Sequence, residues 1–180
     1  MRTGTCSPLP KTLACNIYYQ YQNKGRVSGN AQNGNWAFVE HGKENNCEGG
    51  YCGIRVGISC TGDADVRVLY QYKEFSVATP EQSTPWSTPD GTPRWGPWSQ
   101  MMQNHNKEEC AEGRYCGVMM KAETRNGGTC NVRYQHRWRY GTSTMNGDGV
   151  WSQGTYSNKD DDGCQSNSGC GIRATISCSI

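Results

Sequence analysis

Three stretches of the chain alternate between apolar and polar side chains, and each begins with the pair Cys-Gly. They cover residues 52–60, 116–124 and 170–178. In the first stretch the apolar face carries Cys52, Ile54, Val56, Ile58 and Cys60. Successive side chains of a strand point to opposite faces, so a period of two predicts a half-buried strand. We therefore predict three equivalent strands.

A second alternating segment also occurs three times, at 17–21, 66–72 and 132–140. Its aromatic face should be buried, because a slip of one residue would bury the polar face at a cost of roughly 1–3 kcal/mol per group. The side chains expected inside are Tyr134, His136 and Trp138, with their equivalents Tyr19, Tyr21, Tyr70 and Tyr72. Those expected outside are Arg133, Gln135, Arg137 and Arg139. Glycine-containing turns at 61–64 and 125–129 precede the second and third copies and predict hairpins.

The order of these segments indicates a single all-β domain, 1–180, because no capped amphipathic stretch of helical length occurs. The domain consists of three repeats, at about 15–60, 61–130 and 131–180. The third repeat lacks its second strand, whereas an extra copy lies at 15–22. We therefore expect strand 15–22 to pair with 170–178. This closure would give three sheets around a pseudo-threefold axis.

Residues 78–97 interrupt the second repeat and contain five of the seven prolines. Such a segment is typical of an extended surface connection, and a role in recognition is the alternative. Its two tryptophans, Trp86 and Trp95, have no counterpart in the other repeats and are the preferred candidates for ligand binding. Three further tryptophans recur once in each repeat, which predicts equivalent core positions: Trp36, Trp98 and Trp151.

The 11 cysteines and the scarcity of aliphatic side chains are typical of a secreted protein held together by disulfides. Short spacings suggest the local pairs Cys47–Cys52, Cys110–Cys116 and Cys164–Cys170, although pairs that reach across a sheet compete with them. Cys15 opens the N-terminal strand and Cys178 closes its expected neighbour, so we expect Cys15–Cys178 to link the termini. Two of the remaining cysteines could pair, and the odd one would be free or join two copies into a homo-oligomer: Cys6, Cys60 and Cys130.

The formal net charge is only +2, so no nucleic-acid or membrane-surface partner is indicated. The apolar runs are a few residues long, and no membrane span is expected. Residues 1–16 contain no apolar run of signal-peptide length, which indicates a mature form or one to which Met1 has been added.

Catalysis is not indicated, because His41, His105 and His136 lie in no recognisable catalytic motif and no carboxylate pair stands out. No cofactor is expected. The run Asp160, Asp161 and Asp162 is a weak candidate for calcium, but three consecutive loop carboxylates are more often simply solvated.

Two groups of side chains suit carbohydrate. Exposed tryptophan rings stack on sugar C–H faces, and the Asn- and Gln-rich segments 30–35 and 103–106 offer hydrogen bonds to hydroxyls. Basic side chains on the outward strand faces suit anionic glycans such as sulfated polysaccharides, with a solvated face as the alternative. These are Arg67, Lys73, Arg133, Arg137 and Arg139.

Several short motifs have a common resemblance. They are W95-GPW, Cys110, E112-GRYCGVMMKAE, a Gly-Gly turn at 127–128, N131-VRY and C47-EGGY-C52-GI. Over about residues 30–180 they resemble the vitelline membrane outer layer protein 1 family. The resemblance implies a β-prism of three Greek-key sheets and an egg-coat setting.

Together these observations predict a secreted, non-enzymatic protein of an extracellular coat, egg layer or mucous secretion. Its expected partners are glycans or other coat proteins. The alternative is a secreted defence or toxin protein of lectin-like type.

Overall fold

The computed structural model describes residues 4, 12–23, 25–39, 52–62, 65–74, 77–101, 115–125, 127–138, 141–155 and 169–179. These residues form strands and no helix. The strands are β1 (Thr12–Asn23), β2 (Arg26–Val27), β3 (Ala31–Gln32), β4 (Ala37–Val39), β5 (Cys52–Thr61), β6 (Val66–Glu74), β7 (Val77–Ala78), β8 (Gln82–Ser83), β9 (Arg94–Trp95), β10 (Ser99–Met101), β11 (Tyr115–Thr124), β12 (Thr129–Trp138), β13 (Gly141–Thr142), β14 (Asn146–Gly147), β15 (Ser152–Thr155) and β16 (Cys170–Ser179). Nothing in these ranges is a helix of the length and apolarity that crossing a membrane requires.

Each of three sheets is built on one pair of long antiparallel strands. β1 lies beside β5, with Cys15 opposite Cys60. β6 pairs with β11 and β12 pairs with β16 in the corresponding register. The first and third sheets also meet at one corner, where Thr12 and Leu13 pair with the end of β16. The three predicted Cys-Gly strands are therefore confirmed as β5, β11 and β16.

The partners of the long strands differ from those expected. The predicted pairing of 15–22 with 170–178 is wrong, because these residues pair with β5, and β1 pairs with β16 only through Thr12 and Leu13. The predicted hairpins are also wrong, since β5 is not hydrogen-bonded to β6, nor β11 to β12, in the described ranges. The glycine-containing turns instead lead from one sheet to the next. Alternation determines which face of a strand is buried, but all six long strands alternate alike, so it does not select their partners.

Closure comes from three short strands that follow the repeated tryptophans. β10 pairs with β5, β15 with β11 and β4 with β16. Each repeat thus contributes a strand to the sheet of a different repeat. The contact between β4 and β16, together with the pairing of Thr12 and Leu13, joins the first repeat to the last, which is the role expected of strand 15–22.

The glycine of each repeated Cys-Gly pair is required for steric reasons where a short strand pairs with a long one. A Cβ atom on Gly53 would overlap the backbone of Ser99. The same overlap would occur between Gly117 and Ser152, and between Gly171 and Ala37. A backbone obstacle cannot rotate away as a side chain can, so only glycine lets the short strand approach.

The predicted aromatic faces are confirmed as the core. The seven side chains expected inside are at most 7% exposed, whereas Arg133 is exposed and Gln135 and Arg137 are half-buried. At the centre the rings of Tyr21, Tyr72 and His136 contact each other edge to face, with centroids 5.7–6.2 Å apart. These three side chains occupy equivalent positions on β1, β6 and β12, so the repeats meet at a single aromatic cluster. Arg139 lies outside the described residues.

Two disulfides connect the long strands of the first and third sheets. They are Cys15–Cys60 and Cys130–Cys178, each with Cα atoms 4.1 Å apart. The predicted Cys15–Cys178 link is therefore wrong, because it relied on the wrong strand pairing. Cys52, Cys116 and Cys170 are also disulfide-bonded. Their expected partners Cys47, Cys110 and Cys164, and also Cys6, lie outside the described residues.

Candidate functional site

The repeated tryptophans are not core residues, contrary to the expectation. Trp36, Trp98 and Trp151 are all half-buried. A cation lies over each ring: Arg173 at 5.0 Å from the centroid of Trp36, Arg55 at 5.5 Å from Trp98, and Lys73 at 5.0 Å from Trp151. The three tryptophans therefore share a contact with a cation near the surface. The long strands supply the core, and each tryptophan precedes one of the short strands β4, β10 and β15.

A surface groove of about 400 Å³ lies between the first repeat and the insertion. Three aromatic side chains, Tyr18, Trp36 and Trp95, line it together with residues of the turn around β3 and the insertion. The other lining residues are Asn30, Ala31, Gln32, Asn35 and Pro93. The structure thus brings together Trp95 and the segment 30–35, which are more than 50 residues apart in the chain and were separate carbohydrate candidates.

Trp95 is positioned by its pairing with β5. Its backbone lies opposite Gly57, and a Cβ atom on Gly57 would be 2.9 Å from the indole Cδ2. The missing side chain therefore leaves room for the ring against the outward face of β5. The ring of Tyr18 lies 6.3 Å from that of Trp95 and is tilted by 51°. The positions equivalent to Gly57 hold Lys121 and Thr175, so the gap belongs to the first repeat alone.

The turn that forms the opposite side of the groove is held by backbone hydrogen bonds. Asn33 and Gly34 both have positive φ angles, 36° and 86°. The Asn33 N–H donates to the carbonyl of Ile17 at 3.2 Å, and the Gly34 N–H donates to the carbonyl of Ala174 at 2.7 Å. The Tyr19 hydroxyl donates to the Asn35 carbonyl at 2.5 Å. A turn tied to both β1 and β16 in this way provides a preformed wall.

The amide groups on this turn are available to a ligand. The side chains of Asn30, Gln32 and Asn35 make no hydrogen bond within the described part of the chain. All three residues are exposed. Each amide offers both a donor and an acceptor, as a sugar hydroxyl does. Aromatic surface with a few polar groups is the usual composition of small-molecule sites, which occupy roughly 300–1,000 Å³.

Two arginines lie against the aromatic walls. The Arg55 guanidinium carbon is 4.6 Å from the centroid of Trp95, and that of Arg173 is 5.0 Å from Trp36. Their Nε atoms donate to the side-chain carbonyls of Gln20 and Gln135, at 2.5 and 2.6 Å. Both arginines are half-buried. Positive charge therefore accompanies both aromatic walls of the groove.

Trp86, the other tryptophan favoured for binding, lies against the second pair of long strands, β6 and β11, and not in the groove. Arg67 and Arg125 lie over its ring, at 4.6 and 4.2 Å from the centroid. Arg67 forms an ion pair with Glu123 at 2.8 Å, and Arg125 lies 4.0 Å from Asp65. This cluster satisfies its own charges, so Trp86 is better explained as a packing residue.

The remaining candidates are dispersed. Arg137 lies over the ring of Phe38 at 5.4 Å, and Phe38 stacks on Trp36 with centroids 5.1 Å apart, so this arginine is near the groove without lining it. His136 is fully buried, and burial lowers its pKa to about 3. Arg139, Asp160, Asp161, Asp162, His41, His105 and the segment 103–106 lie outside the described residues.

Two groove residues, Tyr18 and Trp36, were not expected to bind ligand. Tyr18 lies on the polar face of β1, and a tyrosine at a position otherwise suited to polar side chains was an available signal. The second signal was Gly57, which is small where its equivalents are Lys121 and Thr175.

Comparison of the chain with family models, curated proteins and solved structures finds no significant match.

Proposed function

We propose that the protein is a secreted, non-enzymatic glycan-binding component of an extracellular coat, egg layer or mucous secretion. The observation that carries the proposal is the groove lined by Tyr18, Trp36 and Trp95 and by three exposed amides. The partly exposed aromatic rings offer apolar surface to the C–H groups of a sugar, while amides bind its hydroxyls. The disulfides favour an extracellular setting, because oxidising compartments are where such bonds persist.

For the architecture we propose a β-prism with pseudo-threefold symmetry. Its support is the repetition of one register in the three long strand pairs, and the repeated exchange of a short strand between repeats. The same architecture is implied by the resemblance to the vitelline membrane outer layer protein 1 family. On this proposal the groove is a feature that one repeat has added to a common frame.

A glycan array followed by calorimetry with the best ligand tests the function. Trp95→Ala should weaken binding at least about tenfold, equivalent to about 1.4 kcal/mol, because it removes one aromatic wall. Trp151→Ala is the matched control, since Trp151 is equally half-buried beside a cation but lies outside the groove. Equal loss in both variants, or no glycan bound by the wild type, would contradict the proposal. Cell toxicity at low dose would instead favour the defence or toxin class.

A further inference from the structure

The two arginines beside the groove differ from those around Trp86 in how their charge is balanced. Around Trp86 each arginine has a nearby carboxylate, Glu123 or Asp65. Neither Arg55 nor Arg173 has a carboxylate partner among the described residues. Both nevertheless lie half-buried against aromatic rings, where water screens their charge less than at an exposed position.

The two guanidinium groups are also held in place by a repeated hydrogen-bond arrangement. Gln20 accepts from Arg55 and donates its Nε2 to the carbonyl of Ser28 at 3.2 Å. Gln135 accepts from Arg173 and donates to the carbonyl of Ser143 at 2.9 Å. In both cases the arginine uses Nε within the protein, while no hydrogen bond of its terminal nitrogens occurs in the described part of the chain. A guanidinium fixed in this way loses little conformational freedom when it binds an oxyanion.

We propose that the groove binds an acidic glycan, whose sulfate or carboxylate groups are held by Arg55 and Arg173 while its sugar rings contact Trp95 and Trp36. This inference rests on the proposed function and specifies its ligand class. Guanidinium groups bind both kinds of oxyanion through paired hydrogen bonds, which are stronger than bonds between neutral groups. One arginine accompanies each wall, so the geometry suits a ligand with acidic groups on more than one sugar.

The register on the third sheet continues this positive surface. Arg173 lies opposite Gln135 on β12, and Arg133 and Arg137 are the next outward residues along that strand. Two residues along a strand span about 6.7 Å, so these three arginines occupy neighbouring positions on one face. A longer acidic chain could therefore extend from the groove past Trp36 towards Arg137, whose guanidinium lies over Phe38.

The test measures calorimetric affinity for four probes: a heparin-derived hexasaccharide, an oligogalacturonate of the same length, neutral chitohexaose and a DNA oligonucleotide of matched charge. The variants are Arg55→Gln, Arg173→Gln and their combination. The charge-matched control is the combination of Arg125→Gln and Lys121→Gln, two exposed positions outside the groove. We expect each groove substitution to weaken the acidic glycan about tenfold, the value of one charge-assisted contact, and the control to weaken it far less. Binding of chitohexaose should be weaker and unaffected by all four substitutions.

The outcomes separate this inference from the function on which it rests. Preference for the heparin fragment assigns sulfate and preference for the galacturonate assigns carboxylate, and both support the proposal. If Trp95→Ala abolishes binding but loss of both groove arginines does not weaken it, the groove takes a neutral glycan and the inference fails alone. If Trp95→Ala affects no probe, the proposed function fails. If the DNA binds as well as the glycans and the control variant loses as much affinity as the groove variant, the surface binds polyanions without selection and the inference is overturned.

Discussion

Acidification should destabilise this protein through His136, which occupies the centre of the core. Its side chain is fully buried between the rings of Tyr21 and Tyr72, 5.7 and 6.2 Å away. Burial lowers the pKa of this imidazole from 6.5 to about 3, because the low-dielectric interior disfavours the charged form. The folded protein therefore keeps His136 neutral at pH values where the unfolded chain protonates it.

The sign and the magnitude follow from this difference in pKa. A group with a lowered folded-state pKa contributes fully to stability above its unfolded pKa of 6.5, and the contribution is lost as the pH falls towards 3. Between pH 7 and pH 5 the free energy of unfolding should fall by about 2 kcal/mol through this residue alone. By pH 4 the loss should reach about 3 kcal/mol.

The comparison variant is His136→Phe, which keeps an aromatic ring where the other repeats have Tyr21 and Tyr72. Urea unfolding of both proteins, with disulfides intact, is followed by tryptophan fluorescence at pH 7, 6, 5 and 4. The difference in free energy isolates His136, because other core groups such as Glu74, which accepts from the Tyr72 hydroxyl at 3.0 Å, are common to both. A difference that stays constant from pH 7 to pH 4 would refute the reasoning.

Three further predictions concern the Cys15–Cys60 disulfide, the repeated glycine and Trp86. Replacing Cys15 by Val and Cys60 by Thr copies Val66 and Thr124, which lie opposite each other at the equivalent place in the second sheet. The disulfide closes a 45-residue separation and should contribute about 4 kcal/mol to the free energy of unfolding. A loss under about 1 kcal/mol in urea unfolding would contradict this link. Gly117→Ala should lower the stability by about 1–3 kcal/mol, because the added Cβ overlaps the backbone of Ser152. Gly29→Ala is the control and should leave the melting temperature unchanged, because a Cβ there meets no neighbouring atom. Equal melting temperatures of the two variants would disprove the steric argument. Trp86→Ala should lower stability by about 1 kcal/mol, because two cation–π contacts are lost. The same substitution should not alter glycan affinity. A loss of affinity like that of Trp95→Ala would place Trp86 in the binding site.

The positions of the long strands and their buried faces followed from alternation alone. The segment Val132–Trp138 has polar and apolar side chains at a strict period of two, and only one register buries the apolar set. The strands at 52–60, 116–124 and 170–178 were found in the same way. Local patterns suffice for these features because a strand's two faces are a property of its own backbone.

Strand partners, disulfide links and the groove depended on the tertiary structure. Cys15 pairs with Cys60 because β1 lies beside β5, and six strands with similar alternation gave no basis for choosing that neighbour. The repetition of Trp36, Trp98 and Trp151 indicated equivalent positions but not whether these were buried.

In the groove, too, the sequence indicated the candidate residues, and only the tertiary structure brought them together. The absence of a counterpart to Trp95 in the other repeats, and the amide-rich composition of 30–35, pointed to them as separate candidates. Only the approach of β9 to Gly57 and of the turn at Asn33 to β1 and β16 places them side by side. A contact between distant segments depends on how the sheets pack, and the pattern along any one strand does not contain that information.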